Sequence, residues 1–201
     1  MDAAEEIFAE YGFSAARIDA IAKASGYNKS LIYQYYGDKL GLYTEVVKRA
    51  DQVSEQITGS FISELLKDEQ QLKDPSAFKN FVDYWTRQTV SFLLEHRTYL
   101  RILFWEAAEG WKTLNQISYR LDDDPQMYKV ALAAQRNGIL RRDLDPALFP
   151  MLAMNMIAMT LQSSSRFEHV FGNLDSPQNR EQATSQIVQF IIHGVMEPSL
   201  L

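Results

Sequence analysis

Residues 18–35 read IDAIAKASGYNKSLIYQY, which is the pattern of two short helices joined by a tight turn. Ala22 is small enough for the second helix to cross the first closely, and Gly26 can adopt the positive φ that opens such a turn. Asn28 is a favourable N-cap for the second helix. Four side chains are placed to hold the two helices together: Ile18, Ile21, Tyr27 and Ile32. The run therefore predicts a helix-turn-helix, although an Ala and a Gly at this spacing also occur by chance in many helical proteins.

The second helix of this run carries a polar outward surface. If Ile32 and Tyr36 anchor it, six residues face outward: Lys29, Ser30, Leu31, Tyr33, Gln34 and Tyr35. Lysine, serine and glutamine suit the edges of DNA bases, and leucine can contact a thymine methyl group. Tyrosine hydroxyls, and Lys39 at the start of the next helix, suit phosphates. This surface predicts DNA binding, while Tyr35 and Tyr36 are also open to an interpretation as core aromatics.

Composition limits the alternatives. The 201 residues carry a net charge of −6, which by itself argues against nucleic acid as a partner, yet residues 15–40 hold four basic side chains against two acidic ones. The absence of cysteine excludes disulfides, cysteine zinc sites and thiol nucleophiles. The densest apolar stretch, residues 151–159, is shorter than the roughly 20 residues that a membrane span needs. With no signal peptide at Met1, we expect a cytoplasmic protein with no membrane partner.

Helical periodicity continues along the rest of the chain. Apolar residues recur every three to four positions between Gly and Pro interruptions, and alternating strand patterns are absent. We predict an all-α fold of about nine helices. They cover about residues 2–11, 17–25, 29–35, 38 into the sixties, 74–95, 98–109, 124–137, 145–165 and 176–197.

The N-terminal residues resemble the DNA-binding domain of the TetR family of transcriptional regulators. The resemblance covers about residues 3–48 and rests on these positions: Gly12-Phe13, Ile21-Ala22, residues 26–33, Tyr35-Tyr36, Lys39 and Leu42. It implies that Lys29, Ser30, Leu31 and Gln34 read bases, and that Arg17, Tyr33, Tyr35 and Lys39 contact phosphates. With Asn28 these are the predicted DNA-binding residues.

Three features depart from the family pattern. Tyr27 and Asn28 replace the usual Val-Ser, a change that is conservative in role. Ala16 stands where a capping Thr or Ser is usual, so the following helix has lost a cap worth about 1 kcal/mol unless Ser14 replaces it. Many members also carry a basic arm before the first helix, whereas this chain begins at that helix. We expect either fewer phosphate contacts or further residues upstream.

The remaining sequence predicts a ligand-binding and dimerisation domain. The resemblance implies a helix-turn-helix domain over residues 1–48, an effector domain over residues 49–201, and a homodimer formed through the last two helices. Aromatic residues at helical spacing are more often core, but gaps between such helices also bind small molecules. We predict that the pocket is lined by Trp85, Gln88, Trp105 and Glu106 and takes a small apolar or aromatic effector.

Enzyme motifs are missing from the sequence. The three histidines are far apart, and Asp122–Asp124 lacks the ligand spacing of a calcium loop. We predict no catalytic residue, no metal and no cofactor. The sequence favours a homodimeric, ligand-responsive regulator, more often a repressor, that binds a palindromic operator. The alternative is a small-molecule-binding helical protein that has lost specific DNA recognition.

Overall fold

The computed structural model describes residues 1–68, 70–117 and 126–201, with all side chains in those ranges except those of residues 54–58, 60 and 171. This part of the chain contains no β-strand, only an isolated antiparallel bridge between Leu140 and Met196. The α-helices are α1 (Asp2–Ala15), α2 (Ile18–Ser25), α3 (Lys29–Tyr36), α4 (Lys39–Lys67), α5 (Pro75–Glu95), α6 (Arg97–Ala108), α7 (Gln126–Arg136), α8 (Leu148–Ser163), α9 (Glu168–Phe171) and α10 (Pro177–Val195). The predicted all-α fold is confirmed.

Helix boundaries follow the predicted Pro and Gly positions with three differences. α8 begins at Leu148, after a turn at the predicted start Asp145-Pro146. α1 continues past the predicted stop to Ala15, because a second short helical turn follows a break at Gly12, whose φ is 69° and ψ is 171°. α9 was not predicted, because four residues are too few to show a helical period. The predicted helix start at residues 124–125 and the acidic run Asp122–Asp124 lie outside the described residues.

The chain forms two compact units. The first unit consists of Met1–Val53 and Glu95–Asp123, and the second unit consists of Ser54–Leu94 and Asp124–Leu201. α6 therefore belongs to the same unit as the N-terminal helices, although α5 separates it from them in sequence. The boundary predicted between residues 48 and 49 concerns functional domains and stays a prediction.

An apolar core holds the helices of the first unit together. Its centre is aromatic: the Phe8 and Tyr43 ring centroids lie 4.9 Å apart edge to face, and the Phe13 and Tyr43 centroids lie 5.1 Å apart. The buried members of this core are Ala4, Phe8, Ala9, Ala16, Ile18, Ile21, Ile32, Leu42, Tyr43, Val46, Val47 and Ile102. Helices α1, α2, α3, α4 and α6 all contribute, so α3 is mounted on a rigid support.

In the second unit, α5 contributes the largest buried face. Phe78, Phe81 and Trp85 of this helix are buried, and Phe78 packs near Phe149 of α8 with ring centroids 6.2 Å apart. Arg87 joins α5 to α10 through an ion pair with Glu181, with 2.7 Å between Nη1 and Oε2. Within the described residues, no helix is long and apolar enough to cross a membrane.

Candidate nucleic-acid interface

The turn between α2 and α3 has the backbone geometry of a helix-turn-helix. α2 ends at Gly26 in the left-handed region, with φ 75° and ψ 4°, a conformation that glycine adopts without steric cost. Asn28 then caps α3, because its side-chain Oδ1 accepts a hydrogen bond from the Leu31 N–H at 2.8 Å. Both features match the sequence prediction, and they fix the direction in which α3 leaves the turn.

The side chains of α3 divide into an anchored side and an open side. Ile32 is buried in the core, whereas Lys29, Ser30, Tyr33, Gln34 and Tyr35 are exposed and Leu31 is half-buried. Tyr35 is 75% exposed, which excludes the interpretation of this residue as a core aromatic. The open side therefore presents hydroxyl, amide and ammonium groups, the chemistry that reads base edges and phosphates.

Two tyrosines of this region differ in burial, and for one of them the sequence prediction is wrong. Tyr27 was predicted to hold α2 and α3 together, but it is 62% exposed, so that prediction is wrong. The reason is its place in the turn between Gly26 and the N-cap, outside both helices. Tyr36 is half-buried, and its hydroxyl donates to Met1 Sδ at 3.4 Å.

Two lysines of the interface already have partners within the first unit. Lys29 Nζ lies 3.0 Å from Asp19 Oδ1, and this hydrogen-bonded carboxylate raises the pKa of Lys29. Lys39 Nζ donates to the Ser14 carbonyl at 3.2 Å and lies 4.6 Å from the centroid of the Phe13 ring. Burial lowers the pKa of Lys39. Either ammonium would have to share or exchange these partners to contact a phosphate.

The start of α2 lacks a side-chain cap, as expected from Ala16. Arg17 occupies the N-cap position with an extended backbone and makes no capping bond. Ser14 does not replace the missing cap, because its hydroxyl donates to Glu109 Oε2 at 2.8 Å. The exposed Arg17 side chain and the free N–H groups of this helix end remain open to an anion. Binding of DNA by the predicted residues stays a prediction.

Sequence reasoning missed a buried hydrogen-bond node that supports this interface. Glu106 of α6 is only 2% exposed, and its Oε1 accepts a hydrogen bond from the Tyr43 hydroxyl at 2.7 Å. Its Oε2 accepts from the Leu114 N–H at 3.1 Å. Burial, followed by the bond to Glu106, raises the pKa of Tyr43, so its hydroxyl stays a donor. The signal in the sequence was a carboxylate four positions after Ile102 on the apolar face of α6.

Trp105 adds a contact between α6 and α1. Its Nε1–H donates to the Ala9 carbonyl at 3.1 Å. The ring lies against Gly12, where an added Cβ would stand 3.0 Å from the indole. The positive φ and the close ring together explain why glycine occupies this position.

The four residues predicted to line a ligand pocket are divided between the two units. Trp105 and Glu106 belong to the first unit, whereas Trp85 is buried and Gln88 half-buried on α5 of the second. A small pocket in the second unit has a different lining: Leu65, Gln71, Leu72, Phe78, Val130 and Ala134. The ligand role of the four residues stays a prediction. In the described part of the chain, no group of three or more acidic or histidine side chains could hold a metal ion.

Comparison with known proteins places this geometry in context. Residues 1–46 match the family model of the bacterial regulatory proteins of the tetR family. The chain is 29% identical over 169 residues to the HTH-type transcriptional repressor SCO4008 of Streptomyces coelicolor, covering 82% of this chain and 79% of that one. It is 26% identical over 203 residues to the HTH-type transcriptional activator FasR of Mycolicibacterium smegmatis, covering 96% and 80%.

Solved structures share the fold over nearly the whole chain. SCO4942 of Streptomyces coelicolor superposes with a TM-score of 0.66 at 22% identity, covering 96% of this chain and 94% of that one. The TetR family transcriptional regulator PfmR of Thermus thermophilus superposes with a TM-score of 0.59 at 16% identity, covering 96% and 98%. At these identities the likeness concerns the fold alone.

Proposed function

Because residues 1–46 match the family model of the bacterial regulatory proteins of the tetR family, we propose that this chain is a transcriptional regulator of that family and not an enzyme, that it binds a palindromic operator as a homodimer, and that it is released by a small, largely apolar effector. The observation that carries the proposal is the open side of α3, whose backbone is fixed by Gly26 and Asn28 and whose polar side chains are exposed. Each subunit places α3 in a major groove, so that a two-fold dimer reads two half-sites.

Within each half-site the exposed residues divide by chemistry. We assign base contacts to Lys29, Ser30, Leu31 and Gln34, and phosphate contacts to Arg17, Tyr33, Tyr35 and Lys39. Asn28 keeps its capping role at the DNA-facing end of α3, where helix N–H groups also attract phosphate.

Exposed apolar residues on α8 and α10 support the proposed homodimer. Met151, Leu152 and Met159 of α8 are exposed, and Phe190 of α10 is 73% exposed. Apolar surface of this kind is stabilised by about 25 cal/mol for each Å² removed from water, which a second copy of the chain can provide. An isologous pairing of these two helices covers both sets at once.

We place the effector in the domain over residues 49–201, where α5 supplies a row of large aromatic side chains. Trp85 and the half-buried Gln88 are the members of the predicted lining within this helix. Trp105 and Glu106 would have to exchange their bonds to Ala9, Tyr43 and Leu114 for contacts with a ligand. Effector binding and DNA binding oppose each other because the ligand favours a state in which the α3 helices of the two subunits have the wrong spacing for the two half-sites.

We propose repression as the sign of regulation and the cytoplasm as the location. The relative SCO4008 is named a repressor, whereas FasR is named an activator, and the former has the higher identity over the aligned residues. A repressor needs only to occupy its operator, which the open side of α3 suffices to explain.

Selection of bound sequences from a random duplex pool tests the proposal. We expect a palindromic winner whose affinity falls with salt, with a slope of about −0.9 in log K against log salt for each phosphate contact. The double variant Lys29→Ala, Tyr33→Ala should lose the preference for that sequence, measured by fluorescence anisotropy. Lys112→Ala with Tyr11→Ala removes the same residue types from exposed positions outside α2 and α3 and should retain it.

The opposite results identify the alternative. A folded dimer that enriches no sequence contradicts the DNA-reading proposal and favours a protein that has kept the fold for ligand binding. An equal loss of affinity in both double variants shows that general charge and surface, rather than α3, determine binding.

A further inference from the structure

The basic side chain at the start of α3 is held by an acid of the same motif. Lys29 is the sole basic residue among the eight of α3. Its Nζ lies 3.0 Å from Oδ1 and 3.1 Å from Oδ2 of Asp19, which is in the first turn of α2. Both side chains are exposed at the surface of the first unit, so the pair stands among the residues proposed to contact DNA.

The helix-turn-helix does not need this pair in order to fold. Ile18 and Ile21 of α2 and Ile32 of α3 are buried in the shared core, and Gly26 and Asn28 fix the turn. An exposed ion pair contributes little to stability, because water solvates both charges nearly as well. The pair therefore sets the position of the Lys29 ammonium and neutralises the charge around it, and it does not determine the fold.

The Asp19 carboxylate reduces the hydrogen-bond donors and the net charge that Lys29 can offer to DNA. A lysine ammonium has three N–H donors, and one of them makes the hydrogen bond to Asp19 Oδ2, while Oδ1 lies 3.0 Å from Nζ as the second oxygen of the ion pair. The pair is neutral as a whole, so a phosphate gains little by approaching it. A donor not bonded to Asp19 can still bond a base acceptor such as guanine N7 or O6 in the major groove.

The other basic side chains of residues 15–40 show how many cations are available to phosphates without Lys29. Lys39 is bound to the Ser14 carbonyl and to the Phe13 ring. In the described part of the chain, the side chains of Arg17 and Lys23 have no hydrogen-bond or ion-pair partner. Two of four cations are therefore free for phosphates, and Asp19 controls whether Lys29 becomes a third.

From this geometry we propose that Asp19 is a specificity determinant of the interface, which converts Lys29 from a charge that holds any phosphate into a positioned donor for a base. The inference rests on the proposed function. Removal of the Asp19 charge frees the ammonium, so that binding to non-operator DNA strengthens more than binding to the operator. The ratio of the two affinities then falls.

Salt dependence of four proteins tests this inference: wild type, Asp19→Asn, Lys29→Gln and the double variant, each titrated against the selected operator and a scrambled duplex. On the scrambled duplex, D19N should steepen the slope by about 0.9 per subunit. The ratio of the D19N affinity to the wild-type affinity for this duplex then falls about threefold per subunit between 50 and 200 mM salt. K29Q alone should have the same slope as wild type on the scrambled duplex. The double variant should also have the wild-type slope. On the operator, K29Q should weaken binding.

Controls separate the possible failures. Glu6→Gln removes one exposed acid of α1, and an equal steepening by E6Q overturns the inference, as does a double variant as steep as D19N. Thermal melting should show that all variants stay folded. A wild type that selects no sequence overturns the proposed function together with this inference. Selective binding by the wild type with D19N indistinguishable from it overturns the inference alone.

Discussion

At the scale of single residues, Gly26 determines the turn that fixes the direction of α3, the helix proposed to read DNA. Its φ of 75° lies in the left-handed region, and a Cβ added there would meet nothing within 4 Å. The cost of Gly26→Ala is therefore backbone strain alone, about 1–2 kcal/mol of unfolding free energy. Gly26→Asn should lose less, because Asn tolerates this conformation better than Ala. Urea unfolding measures both, and an Ala variant as stable as wild type contradicts the role assigned to the turn.

Tyr43 makes a second prediction at this scale. Tyr43→Phe keeps the buried ring but leaves Oε1 of the buried Glu106 without its donor. We expect a loss of about 1–3 kcal/mol in unfolding free energy, the cost of an unsatisfied buried polar group. The exposed Tyr11 offers a matched control, since Tyr11→Phe should leave stability unchanged. Equal stabilities of the two variants would show that the Glu106 bond is dispensable.

At the scale of helices, the sequence predicts where they begin and end better than which of them pack together. Pro75 and Pro177 mark the starts of α5 and α10, and Gly26 marks the end of α2, because these residues act through local backbone geometry. The packing of α6 on α1 was not predictable. Helical periodicity identifies an apolar face but not its partner, and Trp105 meets Ala9 across 96 positions of sequence.

The same limit applies to the candidate site. The residues of α3 could be predicted because a turn, a cap and an anchor lie within about ten positions of one another. The Asp19–Lys29 pair was missed although both residues are in the motif, since their contact depends on the crossing of α2 and α3. The error at Tyr27 has a related cause: an aromatic in a three-residue turn has no helical face to be assigned to.

The ion pair between α5 and α10 makes a pH-dependent prediction at this scale. The bond to Arg87, followed by that to Ser185, lowers the pKa of Glu181. A lowered pKa means that the pair adds stability above the ordinary pKa of glutamate and loses it as the pH falls through the lowered value. Glu181→Gln should therefore melt at a slightly lower temperature than wild type at pH 7.

The difference in melting temperature should shrink on acidification and vanish once Glu181 is protonated in both folded and unfolded wild type. Glu168→Gln removes an acid from the exposed start of α9 and provides a charge-matched control. A difference that persists unchanged in acid shows that the amide substitution acts through packing rather than through the Arg87 pair.

At the scale of the whole molecule, the sequence predicts the order of functions along the chain but not its division into compact units. The residues proposed to read DNA come first and the apolar helices last, as the periodicity and the family resemblance indicate. The compact first unit also takes in residues 95–123, because Trp105 and Glu106 are bonded to α1 and α4. A truncation after residue 48 would thus expose Ala9 and Tyr43, so we expect the isolated N-terminal segment to be less stable than the full chain.

Assembly is the property of the whole molecule on which the proposed recognition of an operator depends. Phe190 projects 73% of its surface into water on α10, so Phe190→Glu places a charge in the proposed dimer interface. The expected result is a monomer by sedimentation velocity where the wild type is a dimer, because a buried, unpaired carboxylate opposes association. Gln189→Glu introduces the same charge at the adjoining exposed position and should remain dimeric.

DNA binding by the same variants tests whether dimerisation and recognition are linked. The F190E monomer retains the first unit, so it should bind a single half-site as the wild-type subunit does but lose the gain from two linked half-sites. Its affinity for the full operator should therefore approach its affinity for one half. A dimeric F190E contradicts the proposed interface. A monomer that binds the full operator as tightly as wild type contradicts the proposal that a dimer recognises two half-sites with its two α3 helices.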